Sequence, residues 1–92
     1  MYNTKTIEEV ELAVEQQASN VNEIILYNDD VNTFDHAIET LIRVCEHEPL
    51  QAEQCALLVH YTGKCGVKTG ELKELLPKYH ALLDAGLSAE IL

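Results

Sequence analysis

Two carboxylates, an amide and an imidazole, in Asn28-Asp29-Asp30 and His60, are the side chains of this sequence best suited to act together. Adjacent aspartates with a histidine can hold a cation or move a proton, which is the reading as an enzyme. That reading is weak, because one His with two neighbouring Asp is a poor ligand set and no nucleophile or oxyanion-stabilising motif accompanies it. Taken alone, Asn-Asp-Asp is more often a solvated turn than a ligand site. Cys45, Cys55 and Cys65, with His47 beside the first, raise the question of zinc. Cys45 and Cys55 fall on apolar helical faces and no closely spaced ligand pair exists, so these are expected to be buried structural thiols. His36, His47 and His80 are read as capping or surface residues. No metal, cofactor or catalytic residue is expected.

The elements that must position these residues follow from the spacing of the apolar side chains. Glu23 to Tyr27 is a β-branched and aromatic run suited to a buried strand, stopped by the turn formers Asn28-Asp29-Asp30. Asn32 and Thr33 are competent helix caps, and Phe34, Ala37, Ile38, Leu41, Ile42 and Cys45 then recur with helical spacing on one face. Glu48-Pro49 breaks that helix and starts another, Leu50 to about Tyr61, with Ala52, Cys55, Ala56 and Val59 inward and Leu57 and Leu58 widening the buried arc. Gly63 ends it, placing His60 near its end.

Lys64 to Thr69 reads as a second strand. Gly70 opens a third helix carrying Leu72, Leu75, Leu76, Tyr79, Leu82 and Leu83, closed by Gly86 in the left-handed position. Leu87 to Leu92 is a final strand. The order β-α-α-β-α-β makes a small α+β sandwich, a three-stranded antiparallel sheet against three helices. Residues 1–22, rich in Glu, Gln, Asn and Thr with a poor apolar stripe, are expected to form a flexible extension with at most a transient helix, ahead of one core domain over 23–92.

Charge and length narrow the function further. Ninety-two residues carry a net charge of −10 with only six Lys and Arg, which argues against nucleic acid or an anionic membrane as partner and favours cationic ones. No apolar run approaches the roughly 20 residues of a helical span, and the start has neither the basic nor the apolar part of a signal peptide. Three cysteines without a C-x-x-C unit fit a reduced, cytoplasmic setting.

Two fragments carry a resemblance. Asn28-Asp29-Asp30-Val31-Asn32-Thr33-Phe34 after the first strand, and Val59-His60-Tyr61-Thr62-Gly63 leading into Gly66-Val67-Lys68-Thr69, together resemble the ClpS adaptor family over about Asn22 to Leu92. Each fragment alone is common; their joint occurrence in this element order is specific. The resemblance implies a non-enzymatic, monomeric adaptor. It would bind N-degron substrates by their free α-amino group and bulky N-terminal residue (Leu, Phe, Tyr or Trp) and deliver them to the N-domain of a Clp AAA+ unfoldase of the ClpA or ClpC type. It further implies that Asn28, Asp29 and His60 hold the α-amino group, with Asp30 and Asn32 in support. The apolar pocket would comprise Phe34, Ala37, Ala56, Val59 and Leu87, and Glu71 would meet the unfoldase.

Residue types suit those implied roles: an α-ammonium brings three donors and a charge, so converging acceptors, one of them ionised, are what it needs. The sequence departs from the family where Phe34 and Ala56 stand at positions often occupied by Met, and where Leu76 stands at a position often basic. The alternative is a protein-interaction domain like the carboxy-terminal domain of the ribosomal stalk protein, which has the same element order but basic helices and neither motif.

Overall fold

The computed structural model describes residues 21–92. The elements run β1 (Asn22–Tyr27), α1 (Phe34–Cys45), α2 (Pro49–Thr62), β2 (Lys64–Gly70), α3 (Leu72–Asp84) and β3 (Ser88–Ile91). This is the expected α+β order, with boundaries shifted by a residue or two. The first strand begins at Asn22, whose side-chain amide donates to the Leu92 carbonyl at 3.0 Å. The extension and its transient helix otherwise lie outside the described residues. Gly70 ends β2 rather than opening α3, whose N-cap is Glu71.

β1 is central: the sheet order is β2-β1-β3, and both neighbours pair antiparallel to it. Its alternation decides which side chains enter the core. Ile24 and Leu26 project into the main apolar cluster with Leu41, Ala52, Val59, Val67, Leu75 and Leu82, while Ile25, also buried, lies outside that cluster. Each fully buried Leu or Ile contributes about 1.5–3 kcal/mol, so this cluster is what holds three helices to one sheet.

α1 begins because the Thr33 hydroxyl accepts from the His36 N–H at 3.1 Å. It stops at Glu46, which takes the left-handed conformation at φ 60° without being glycine; its carboxylate pairs with Lys78 Nζ at 3.0 Å. α2 opens with a capping box between Glu48 and Gln51 and with Pro49 in its first turn, where a missing N–H costs nothing.

Some expected burial does not occur. On α1 the inward face is rotated: Thr40 and Val44 are buried, while Ile42 is 36% exposed. Thr40 tolerates burial because its hydroxyl donates to the His36 carbonyl at 2.7 Å. Leu58 is 48% exposed, so the buried arc of α2 is narrower than expected.

His47 is not a surface residue. It is buried, and its Nε2 lies 2.6 Å from the Val67 carbonyl. Opposite Ile24 and Ile25 a β-bulge in β2 leaves Val67 without a partner in β1, and His47 satisfies the carbonyl so released. Among the described residues no helix is long and apolar enough to cross a membrane.

Candidate functional site

The loop after β1 is built by one carboxylate. Asp29 Oδ1 accepts from the backbone N–H of Val31 at 2.9 Å and of Asn32 at 2.8 Å, and Oδ2 accepts from the Asn32 side-chain amide at 2.9 Å. An aspartate bonding backbone two and three residues on is the chemistry that makes Asp a turn former. Partial burial works to raise the Asp29 pKa, but the bonds from Asn32 and Val31, with the nearby His36, outweigh it and hold the carboxyl below its ordinary value. Asp29 is therefore an anion with about one acceptor position free of its roughly four.

Two further bonds fix this loop to the rest of the fold. The Asn28 N–H donates to the Gly63 carbonyl at 2.9 Å, joining it to the end of α2. The Asn32 side-chain amide also donates to the Gly86 carbonyl at 2.8 Å, joining it to the turn before β3. His36 Nε2 bonds the Ala85 carbonyl at 2.7 Å, tying α1 to that turn as well.

These ties enclose an open cavity of about 320 Å³ between the loop, the start of α1, the second half of α2 and the start of β3. Its polar side holds Asn28, Asp29, Asp30 and Asn32. Phe34, Ala37, Ala56, Val59 and Leu87 supply the apolar side, and His60 stands between the two. Every side chain that the sequence suggested for the ammonium site or the apolar pocket thus lines one space. Leu26, Tyr27 and Thr33 line it too and were not foreseen. Their signal was adjacency: they flank the Asn-Asp-Asp loop on either side.

Burial grades across this wall. Ala56, Val59 and Leu87 are at most 8% exposed, whereas Phe34 is 40% exposed at the mouth. The Phe34 and His60 rings meet at 5.3 Å between centroids, tilted by 54°, and Tyr61 packs edge-on to His60 at 4.8 Å. His60 is thus oriented by an aromatic on each side. Tyr27 donates its hydroxyl to Glu90 at 2.9 Å, which raises the phenol pKa.

Glu71 does not line the cavity; it is exposed at the start of α3, 3.7 Å from Lys73 Nζ. Among the described residues the ion pairs are Lys73–Glu71 and Lys78–Glu46, so neither Asp29 nor Asp30 is neutralised by a Lys or Arg. No group of three or more metal-ligating side chains converges among them.

The geometry can be set beside known proteins. Residues 6–90 match the family model described as ATP-dependent Clp protease adaptor protein ClpS. The ATP-dependent Clp protease adapter protein ClpS of Campylobacter jejuni subsp. doylei is 33% identical over 87 residues, covering 92% of this chain and 84% of its own length. The protein of the same name from Campylobacter jejuni subsp. jejuni gives the same identity and coverage. The structure of Agrobacterium tumefaciens ClpS2 bound to L-phenylalaninamide superposes with a TM-score of 0.72 at 19% identity, over 79% of this chain and 95% of that one.

Proposed function

The chain belongs to the ClpS family of ATP-dependent Clp protease adaptors, and on that premise we propose that its cavity captures the free α-amino group and bulky apolar side chain of an N-terminal residue. Proteins beginning with Leu, Phe, Tyr or Trp are the substrates, delivered to a Clp unfoldase and its peptidase. The protein acts without catalysis of its own. One observation carries the reading: a single cavity has, on one side, an amide and a carboxylate that no Lys or Arg of the described residues neutralises, and a buried aliphatic wall on the other.

The division of labour follows from the chemistry. Asn28 offers its amide oxygen, and Asp29 its remaining acceptor position and its charge, to the ammonium. His60 completes the cluster. Asp30 adds a second negative charge at the rim, and Asn32 holds Asp29 in place. An α-amino group with a pKa of about 7.7–8.0 is mostly charged at neutral pH, so ligand and site are complementary. A cavity of about 320 Å³ lies near the small end of the roughly 300–1,000 Å³ range of ligand sites, suiting one residue rather than a long peptide. In support, L-phenylalaninamide, named in the ClpS2 structure, is a free amine bearing an aromatic side chain.

Magnitudes explain why both halves are needed. A large side chain offers about 150–250 Å², worth roughly 4–6 kcal/mol at 25 cal/mol per Å². Association costs at least about 4 kcal/mol, so the ammonium contacts supply the surplus and affinity is on the order of micromolar. They also supply selectivity, because an internal residue presents an amide and leaves Asp29 facing the wrong partner.

Glu71, exposed at the start of α3, is assigned to the N-domain of a ClpA- or ClpC-type unfoldase. The test of the substrate reading is titration of labelled peptides beginning with Leu, Phe, Tyr or Trp. Ala- and Met-initiated peptides and an acetylated Leu peptide serve as controls, against wild type, Asp29→Ala and His60→Ala. Binding by the first group, lost on acetylation and weakened in both variants, is expected; equal binding of free and acetylated Leu peptides would overturn it.

A further inference from the structure

Three free thiols are present, and two of them meet away from the cavity's polar side. Cys55, on the inner face of α2, and Cys65, on β2, have their sulfurs 3.3 Å apart, with the Cys65 thiol donating to Cys55. They are ten positions apart in the chain, so their meeting is a product of the fold rather than of local sequence. We propose that Cys55 and Cys65 form a reversible oxidation site, a dithiol that small peroxides convert to an intramolecular disulfide.

Access and geometry assign each sulfur a part. Cys65 is partly exposed, while Cys55 is only 9% exposed, so an oxidant reaches Cys65 first. The Cys65 thiolate attacks a peroxide oxygen, the O–O bond breaks and hydroxide leaves, giving a sulfenic acid. Cys55 then attacks that sulfur. The S–O bond breaks, the thiol proton leaves with the hydroxyl as water, and two thiols have been oxidised as one peroxide is reduced. Burial and the contact with Cys65 push the Cys55 thiol up to about 12, which keeps it from meeting the oxidant first; its resolving part rests on its sulfur lying 3.3 Å from that of Cys65. Bonding draws the sulfurs from 3.3 Å to about 2.05 Å, a shift that side-chain rotation with slight element movement can supply.

The ring closed by this bond contains Val59, His60 and Gly63, the segment that carries part of the cavity wall. Cys45 takes no part: it is buried at 1% exposed, on α1.

The test treats the full chain with hydrogen peroxide, quenches, denatures, and counts free thiols by mass spectrometry and alkylation. The three thiols of the reduced chain should fall to one, with a mass loss of about 2 Da that dithiothreitol restores. Peptide mapping of the wild-type protein should join Cys55 to Cys65, a result that depends on no variant. Cys45→Ala should behave as wild type. Cys55→Ser should show no loss of 2 Da and should accumulate a dimedone-reactive sulfenic acid at Cys65. Persistence of three thiols, a bond to Cys45, or a bond between chains would overturn the proposal.

Discussion

The Asn28 N–H donates to the Gly63 carbonyl at 2.9 Å, so the first residue of the Asn-Asp-Asp turn is fastened to the residue that ends the helix bearing His60. The two sequence motifs are therefore one structural unit. That bond helps bring Asn28 and His60 to one cavity.

Gly63 is the C-cap that closes that unit. It sits at φ 96°, where an L side chain is strained, yet an added Cβ would meet nothing within 4 Å. Gly63→Ala isolates the backbone cost, about 1–2 kcal/mol. Gly63→Asn, which tolerates the left-handed region, should recover part of it. Urea unfolding of both variants checks the order, and affinity for a Leu peptide should fall with it, because the Gly63 carbonyl would no longer be held against Asn28.

Asn32 serves two acceptors, Asp29 and the Gly86 carbonyl, through one amide group. Asn32→Ala removes both bonds, at about 0.5–1.5 kcal/mol each. The second readout is specific: with one donor lost, the Asp29 carboxyl should titrate at higher pH than in wild type, followed by carboxyl NMR. An unchanged Asp29 midpoint would show that the backbone N–H groups suffice.

How much of this was legible beforehand depends on whether the cause was local. The β1 run, the Thr33 cap and the inward Ala52, Cys55, Ala56 and Val59 of α2 are properties of neighbours in sequence, and they stand as read. The rotation of α1, with Val44 inside and Ile42 partly outside, is decided by what lies opposite, and periodicity does not encode it. His47 is the sharpest case: its burial depends on a bulge in β2 that leaves the Val67 carbonyl without a strand partner. The cavity's residues were legible because the resemblance to the ClpS family implied them. The double duty of Asn32 was not, since its second partner is 54 positions away.

That dependence makes His47 testable. A carbonyl only accepts, so Nε2 carries the proton, and Nδ1 is buried without a partner among the described residues. His47→Leu keeps an apolar side chain in place but orphans the Val67 carbonyl, costing about 1–3 kcal/mol. His47→Gln, which retains a donor, should cost less. Thermal unfolding of the two variants checks the ordering; equal losses would mean that packing, not the bond, is what His47 supplies.

The Asp29 carboxyl is held below its ordinary value of 3.8. A depressed folded-state pKa contributes stability above the unfolded value, and that contribution is lost as pH falls through the folded one. The loop should thus stay fastened through pH 5 and release only below about pH 4. In an NMR titration the Val31 and Asn32 amide signals, the donors to this group, should move with a midpoint under 3.8. At the other end, peptide binding should decline above about pH 8 as the ligand's amino group loses its proton.

Ala56 sets how deep the apolar side runs. It is 4% exposed and lines the cavity beside Val59 and Leu87, so the space above it is the room left for a ligand side chain. Ala56→Met extends an unbranched chain into that room. Because the cavity is open, the longer side chain fills vacant space rather than displacing packed neighbours, so the stability change should stay under about 1 kcal/mol. The cost falls on the ligand instead, and unequally: a Trp or Phe side chain needs the volume that Met takes, whereas Leu needs less of it. Peptides beginning with Trp and Phe should therefore lose affinity by at least about tenfold, some 1.4 kcal/mol, while the Leu peptide loses less. The ratio of the two affinities, measured on wild type and variant by fluorescence anisotropy, is the deciding quantity. A ratio unchanged by Ala56→Met would remove Ala56 from the wall that chooses among N-terminal residues and leave that choice to Phe34 at the mouth.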